Sequence, residues 1–189
     1  MEIRPTALPD VKMLVPRRFG DARGYFSETW NAARMRDAGL EFDFVQDNES
    51  LSAEVGTLRG LHCQKPPFAQ AKLVRVVQGA ILDVAVDMRH GSPDFGRWIA
   101  EEISAGTGAQ ILVPRGFLHG FVTLAPDTLV QYKVDNVYDA SSDSGVRWDD
   151  PQIAVDWQLA GRDPVLSDKD SALPRLADWP SPFHYGEPS

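Results

Sequence analysis

Three runs of β-branched residues in the middle of the chain constrain its fold more than any other feature. The first, AKLVRVVQGAILDVAVDMR at 71–89, is dense in Val, with Ile81 besides. Such residues lose χ1 freedom in a helix but pack readily on a pleated sheet. In its second half Leu82, Val84, Val86 and Met88 share one face, while Asp83 and Asp87 share the other, because strand side chains alternate. The break at Gln78-Gly79 reads as a hairpin turn. The second run, AQILVPRGFLHGFVTL at 109–124, repeats the plan around Pro114-Arg115-Gly116, where proline presets φ and glycine permits a positive one. In the third, TLVQYKVDNVY at 128–138, Val130, Tyr132 and Val134 lie on one side with Gln131 and Lys133 opposite.

Helical signals are sparse. SETWNAARMRDAGL offers Ser27 as an N-cap and Gly39 as a C-terminal stop. SDKDSALPRLADW has room for a short turn of helix before Pro174. The small, polar stretch Tyr138–Gly145 reads as a surface loop. No repeat, low-complexity tract or linker divides the chain, so residues 1–189 are expected to form one domain. Short strands separated by turns imply an all-β antiparallel sandwich or barrel with a few short peripheral helices.

Composition narrows the function classes. A formal net charge of −8 argues against nucleic-acid or anionic-membrane binding, which needs a basic surface. An anionic small molecule would have to be held by a local cluster of Arg and Lys. A single cysteine excludes an intrachain disulfide and leaves a cysteine-based zinc site without ligands. The N-terminal MEIRPTALPD lacks the apolar core of a signal peptide. No segment approaches the roughly 20 apolar residues of a membrane-spanning helix, so the expected compartment is a reducing cytoplasm. GTGAQI at 106–111 lacks the third glycine of a dinucleotide fingerprint and precedes a strand. Neither a P-loop nor a Gly-x-Ser-x-Gly elbow is present.

Candidate chemistry concentrates in TLRGLHCQKPPFAQAK at 57–72. Cys63 adjoins His62 on a strand, so their side chains point to opposite faces and the thiol reads as a small core filler. Gly108–His119 fits the spacing G-x5-P-x-G-x2-H and resembles the second motif of the cupin superfamily, which implies a jelly-roll barrel. Metal-binding cupins carry a His-x-His pair in an earlier motif. The matching place here reads His62-Cys63-Gln64, and an amide is a poor replacement for imidazole at a transition metal. No metal site is expected. Acid–base chemistry is the remaining reading: imidazole suits proton transfer near neutrality, and cations stabilise developing negative charge. Arg59, Lys72 and Tyr132 are the candidates beside His62. Taken singly, the two cations read as surface charges and the tyrosine as a core aromatic. Arg59 and His62 are also three apart, so an ideal strand would send them to opposite faces. Gly60 is the residue that would permit a departure from regular pleating.

Together the segments DARGYFSETW, FVQDNES, LRGLHCQKPPFAQAKLVRVVQG, DVAVDMRHGSPDFGRW, VPRGFLHGF, QYKVDNVY, RWDDP and LSDKD resemble the dTDP-4-dehydrorhamnose 3,5-epimerase family along nearly the whole length. The resemblance implies an all-β cupin-type jelly roll that forms a homodimer and uses no cofactor. Its implied substrate is a dTDP-4-keto-6-deoxy-hexose, inverted at C3 and C5 next to the C4 ketone. The implied catalytic residues are His62 as proton acceptor, Asp170 as its partner, Lys72 facing the enolate oxygen and Tyr132 returning a proton. The implied binding residues are Arg23, Glu28, Gln46, Asn48, Arg59, His119, Tyr138, Asp143 and Lys169, with Arg23 and Arg59 as diphosphate clamps. Phe19, Phe26 and Tyr138 are expected against the nucleoside, with core packing an equal alternative for the two phenylalanines. Asp143 stands where the family often has Glu, and Cys63 where Tyr is frequent. A single-centre epimerase and a sugar-nucleotide-binding cupin without catalysis are the alternatives.

Overall fold

The glycine and proline breaks turn corners between two sheets instead of closing hairpins within one. The computed structural model describes residues 1–186. In chain order the elements are β1 (Glu2–Pro5), β2 (Lys12–Val15), β3 (Arg18–Asp21), β4 (Gly24–Ser27), α1 (Ala32–Asp37), β5 (Gln46–Ser52), β6 (Leu58–Gln64) and β7 (Lys72–Gln78). There follow β8 (Ala80–Asp87), β9 (Arg89–His90), β10 (Trp98–Ser104), β11 (Gln110–Val113), β12 (Phe117–Thr123), β13 (Thr128–Val134) and β14 (Asp143–Gly145). The chain ends with α2 (Asp168–Ser171), a 3₁₀ turn (Leu176–Asp178) and β15 (Phe183–His184).

One sheet runs β1-β2-β11-β7-β13-β5 and the other β10-β8-β12-β6-β14, the two faces of an antiparallel jelly roll. The Gln78-Gly79 break is therefore not a hairpin: β7 and β8 lie in different sheets. Gly79 has φ +82, and a Cβ there would fall 2.3 Å from Thr128 Oγ1, so the corner is too tight for any other residue. The Pro114–Gly116 turn likewise carries β11 of one sheet into β12 of the other.

Between the sheets Val74, Val76, Ile111, Val113 and Val130 meet Ile81, Ala85, Phe117 and Phe121. Because β8 alternates, Leu82, Val84, Val86 and Met88 face outward, and Ile153, Trp157, Trp179 and Phe183 of the C-terminal segment cover them. Asp83 and Asp87 thus point inward and are fully buried. The cover also braces a short strand that the sequence reads as loop. Asp143–Gly145 pairs with β6, and Trp179 Nε1 donates to Ser144 Oγ at 2.7 Å. A Cβ at Gly145 would lie 2.1 Å from Leu61 O, so only glycine lets the strands approach this closely.

The first helix starts later than Ser27 suggests. Asn31 is its N-cap, its Oδ1 accepting from the Arg34 N–H at 3.1 Å, while the Ser27 hydroxyl donates to Arg17 O. Gly39 (φ +76) ends the helix as expected. Phe19 and Phe26 are not core residues: they sit on the separate β3–β4 hairpin, 51% and 71% exposed.

Candidate active site

A slip in strand pairing puts Arg59 and His62 on one face. On β12, His119 lies opposite His62 and Phe121 opposite Arg59, with a register shift between them. Two steps along β12 match three along β6, and His119 and Phe121 share a face, so Arg59 and His62 do too. Gly60 stands at the slip with φ +146, and a Cβ there would lie 2.6 Å from Gly120 Cα.

The partner for His62 comes from far along the chain. Val165 bridges Thr57 in parallel and accepts the Leu58 N–H at 2.9 Å, which lays the following residues beside β6. Ser167 caps α2, accepting the Asp170 N–H at 3.1 Å and donating to Asp170 Oδ2 at 2.7 Å. Asp170 Oδ1 is left to meet His62 Nε2 at 2.5 Å. Burial pushes the Asp170 pKa up, but the hydrogen bonds from His62 and Ser167 outweigh it and hold the carboxyl below its ordinary range. The ionised carboxylate accepts a hydrogen bond from Nε2–H, which leaves Nδ1 with its lone pair.

A second imidazole–carboxylate pair stands next to the first. His119 Nε2 donates to both oxygens of Asp83, at 3.0 and 2.9 Å. The facing wall belongs to the other sheet. Lys72 opens β7, Tyr132 lies on the neighbouring β13, and the Lys72 ammonium is 6.0 Å from the Tyr132 ring centroid. Burial pushes the Lys72 pKa down, because an ammonium is costly away from water. Burial pushes the Tyr132 phenol up, against the opposing pull of Arg59, so the hydroxyl keeps its proton. His62, Arg59, His119 and Phe121 from one sheet, Lys72, Tyr132 and Ser50 from the other, and Ser167, Lys169 and Asp170 enclose a cleft of about 270 Å³.

The rim is polar. Arg59 donates to Leu51 O at 3.2 Å and to Ser52 Oγ at 3.3 Å. Lys169 pairs with Asp143, whose Oδ2 also accepts the Tyr138 hydroxyl at 3.2 Å. Gln46 Nε2 donates to Asn48 Oδ1 at 2.8 Å, and Asn48 sits across from Tyr132. Arg23 and Glu28 stand apart from this group: Arg23 projects from the β3–β4 hairpin paired with Asp21, and Glu28 pairs with Arg34. Cys63 points away from the cleft into the outer core, where burial pushes its thiol to about 12. Among the described residues no three His, Cys, Asp or Glu side chains gather as a metal-binding set.

Sequence reasoning passed over Ser167, Asp83 and Ser50. The Ser-x-x-Asp spacing at 167–170 is a capping signal and could have been read. Asp83 could not, since only the fold brings it to His119. Ser50 Oγ is the one buried side-chain polar atom without a partner among the described residues, and it lines the cleft. Such a group is normally completed by water or ligand.

Comparison with known proteins identifies the family. The family described as dTDP-4-dehydrorhamnose 3,5-epimerase matches residues 5–178. A dTDP-4-dehydrorhamnose 3,5-epimerase of Sinorhizobium fredii is 50% identical over 185 residues, 98% of this chain and 94% of the relative. The crystal structure of the Bacillus anthracis epimerase with TDP and PPi bound superposes with a TM-score of 0.89 at 51% identity, covering 93% of this chain and 99% of that one. A 3′-monoepimerase of Streptomyces bikiniensis in complex with dTDP-quinovose gives a TM-score of 0.85 at 33% identity, over 92% of this chain and 87% of that one. With the family matched over residues 5–178 and a relative 50% identical over nearly the whole length, the chain belongs to the dTDP-4-dehydrorhamnose 3,5-epimerases.

Proposed function

We propose that the protein inverts C3 and C5 of dTDP-4-dehydro-6-deoxy-D-glucose to give dTDP-4-dehydro-L-rhamnose. The observation that carries this reading is the division of acid–base groups between two walls, His62 of one sheet with Asp170 of α2 beside it, and Tyr132 with Lys72 on the other sheet. The C4 ketone acidifies the hydrogens at C3 and C5. His62 Nδ1 takes one of them, the C–H electrons pass to O4 as an enolate, and Asp170 stabilises the imidazolium. The Lys72 ammonium stabilises the enolate oxygen. Tyr132 then delivers its phenolic proton to the same carbon from the far side as the ketone re-forms, which inverts the centre. Solvent removes the proton from His62 and restores the one on Tyr132.

In this reading Arg59 and Lys169 hold the diphosphate, and Gln46, Asn48, His119, Tyr138 and Asp143 complete the binding surface. Arg23 and Glu28 belong to the same proposal through a homodimer. Neither lines the cleft of its own chain, and the hairpin beside them exposes Phe19, Tyr25 and Phe26. Exposed aromatics on a protruding hairpin suit a second copy, across which Arg23 meets the neighbour's substrate. The buried, lone thiol of Cys63 suits a cytoplasmic setting.

Incubation of dTDP-4-dehydro-6-deoxy-D-glucose with the protein in deuterated water tests the proposal. Deuterium is expected at both C3 and C5 with inversion at each. Label at C3 alone would assign the single-centre reaction of the 3′-monoepimerase, and absence of label would refute the reading.

A further inference from the structure

Gln64 lies two residues beyond His62 on β6, buried, and does not line the cleft. All of its polar groups are committed to two loops. Its Nε2 donates to Phe68 O at 2.7 Å and to Val137 O at 3.1 Å, and its Oε1 accepts the Asp139 N–H at 2.7 Å. The segment Asn136–Asp139 belongs to no strand or helix, yet side-chain amides tie it down along its length. Gln70 Nε2 donates to Asn136 O at 2.8 Å, Asn136 Nδ2 to Pro67 O at 3.0 Å, and the Tyr138 N–H to Gln46 Oε1 at 3.1 Å. The segment exposes Val137 and Tyr138, and the Tyr138 hydroxyl reaches the Asp143–Lys169 pair at the rim.

We propose that Gln64 is a positioning residue for the nucleotide end of the substrate, fixing through Val137 and Asp139 the segment that presents Tyr138. The inference rests on the epimerase reading for what occupies the cleft, but not for the clamp itself. Gln64 holds both flanks of Tyr138, one by a donor and one by an acceptor, so a single side chain sets where the phenol ring stands. A group that orders a binding wall in advance removes an entropy cost from binding and leaves the chemical step alone. Gln64 therefore governs affinity, while the His62–Asp170 pair governs turnover.

The test compares wild type with Gln64→Met, which keeps the volume and removes all three bonds, and with Asn136→Ala, which loosens the same segment from Pro67. Three quantities are read: Kd for dTDP alone, KM and kcat for deuterium exchange into the 4-keto sugar nucleotide, and amide hydrogen exchange at 136–139. For Gln64→Met we expect Kd and KM to rise about tenfold, the factor that corresponds to ~1.4 kcal/mol. We expect kcat to stay within threefold and amide exchange to rise at Tyr138 and Asp139 but not in β6 or β13. Asn136→Ala should move the same quantities in the same direction by a smaller factor. If Gln64→Met does not fold, a rise in Kd with unchanged kcat in Asn136→Ala supports the clamp. An unchanged Kd for dTDP in the folded variants overturns it, as does a fall in kcat with KM unaltered. A wild-type protein that binds dTDP but exchanges no deuterium would instead refute the epimerase reading, with the dTDP titration still deciding the role of Gln64.

Discussion

Replacing Asp170 by Asn isolates one charge. In the wild type Ser167 Oγ accepts from the Asp170 N–H and donates to Oδ2. An asparagine amide nitrogen in the Oδ2 position donates back to that hydroxyl, so the carbonyl oxygen stays on His62 Nε2 and the imidazole keeps its tautomer. What disappears is the negative charge that faces the imidazolium once a proton has been taken. Two unit charges ~4 Å apart interact by ~4 kcal/mol at an effective dielectric near 20. The His62 side chain is 24% exposed, and screening trims this to ~3 kcal/mol, or about 100-fold in kcat. The assay is deuterium wash-in at C3 and C5 at saturating substrate, followed by NMR, with KM expected to change less than about threefold. A variant that keeps kcat within a factor of two would refute a role for the carboxylate in stabilising the protonated base. Because the folded Asp170 pKa lies below its ordinary value, the wild-type carboxylate adds stability above the unfolded value. That stability is lost as pH falls through the folded value, and Asp170→Asn should flatten this acid-side loss in a denaturation series.

Tyr132→Phe should retain part of the exchange at the face served by His62 while losing net inversion by at least ~100-fold, a split that stereochemical analysis of the labelled product detects. On the alkaline side, burial lowers the Lys72 pKa, so its ammonium is lost, and kcat falls, below the ordinary lysine value of 10.5. The raised Tyr132 pKa keeps the phenol protonated in that range. Lys72→Arg, whose cation does not titrate there, should lose this alkaline limb even if its rate is lower throughout. Replacing Tyr25 and Phe26 together by Ser should convert a dimer into monomers in sedimentation and raise KM, since Arg23 would leave the neighbouring cleft. A monomeric wild type would refute the hairpin as the contact.

How much of this was legible depended on range. Alternation in β7, β8, β11, β12 and β13 was readable because the face of a strand residue is set by its immediate neighbours. The destination of each strand was not. Gly79 and Gly116 look like hairpin turns locally, and only tertiary packing sends the chain to the opposite sheet. For the same reason Asp83, which shares a face with Asp87, carried no sign that it would meet His119. His62 and Asp170 lie 108 positions apart, beyond any periodicity, and were joined only through the resemblance to a family. The face shared by Arg59 and His62 contradicts simple pleating, and the glycine that permits it was visible in the sequence.

The two sheet-changing corners tie the walls of the cleft together covalently. Lys72 and Asp83 belong to one continuous thread bent at Gly79, and Ile111 and His119 to another bent at Gly116. A scaffold stitched in this way holds the wall that carries His62 against the wall that carries Tyr132. Changes in the loops around the mouth can then alter what enters the cleft while the gap between its walls keeps a fixed gauge.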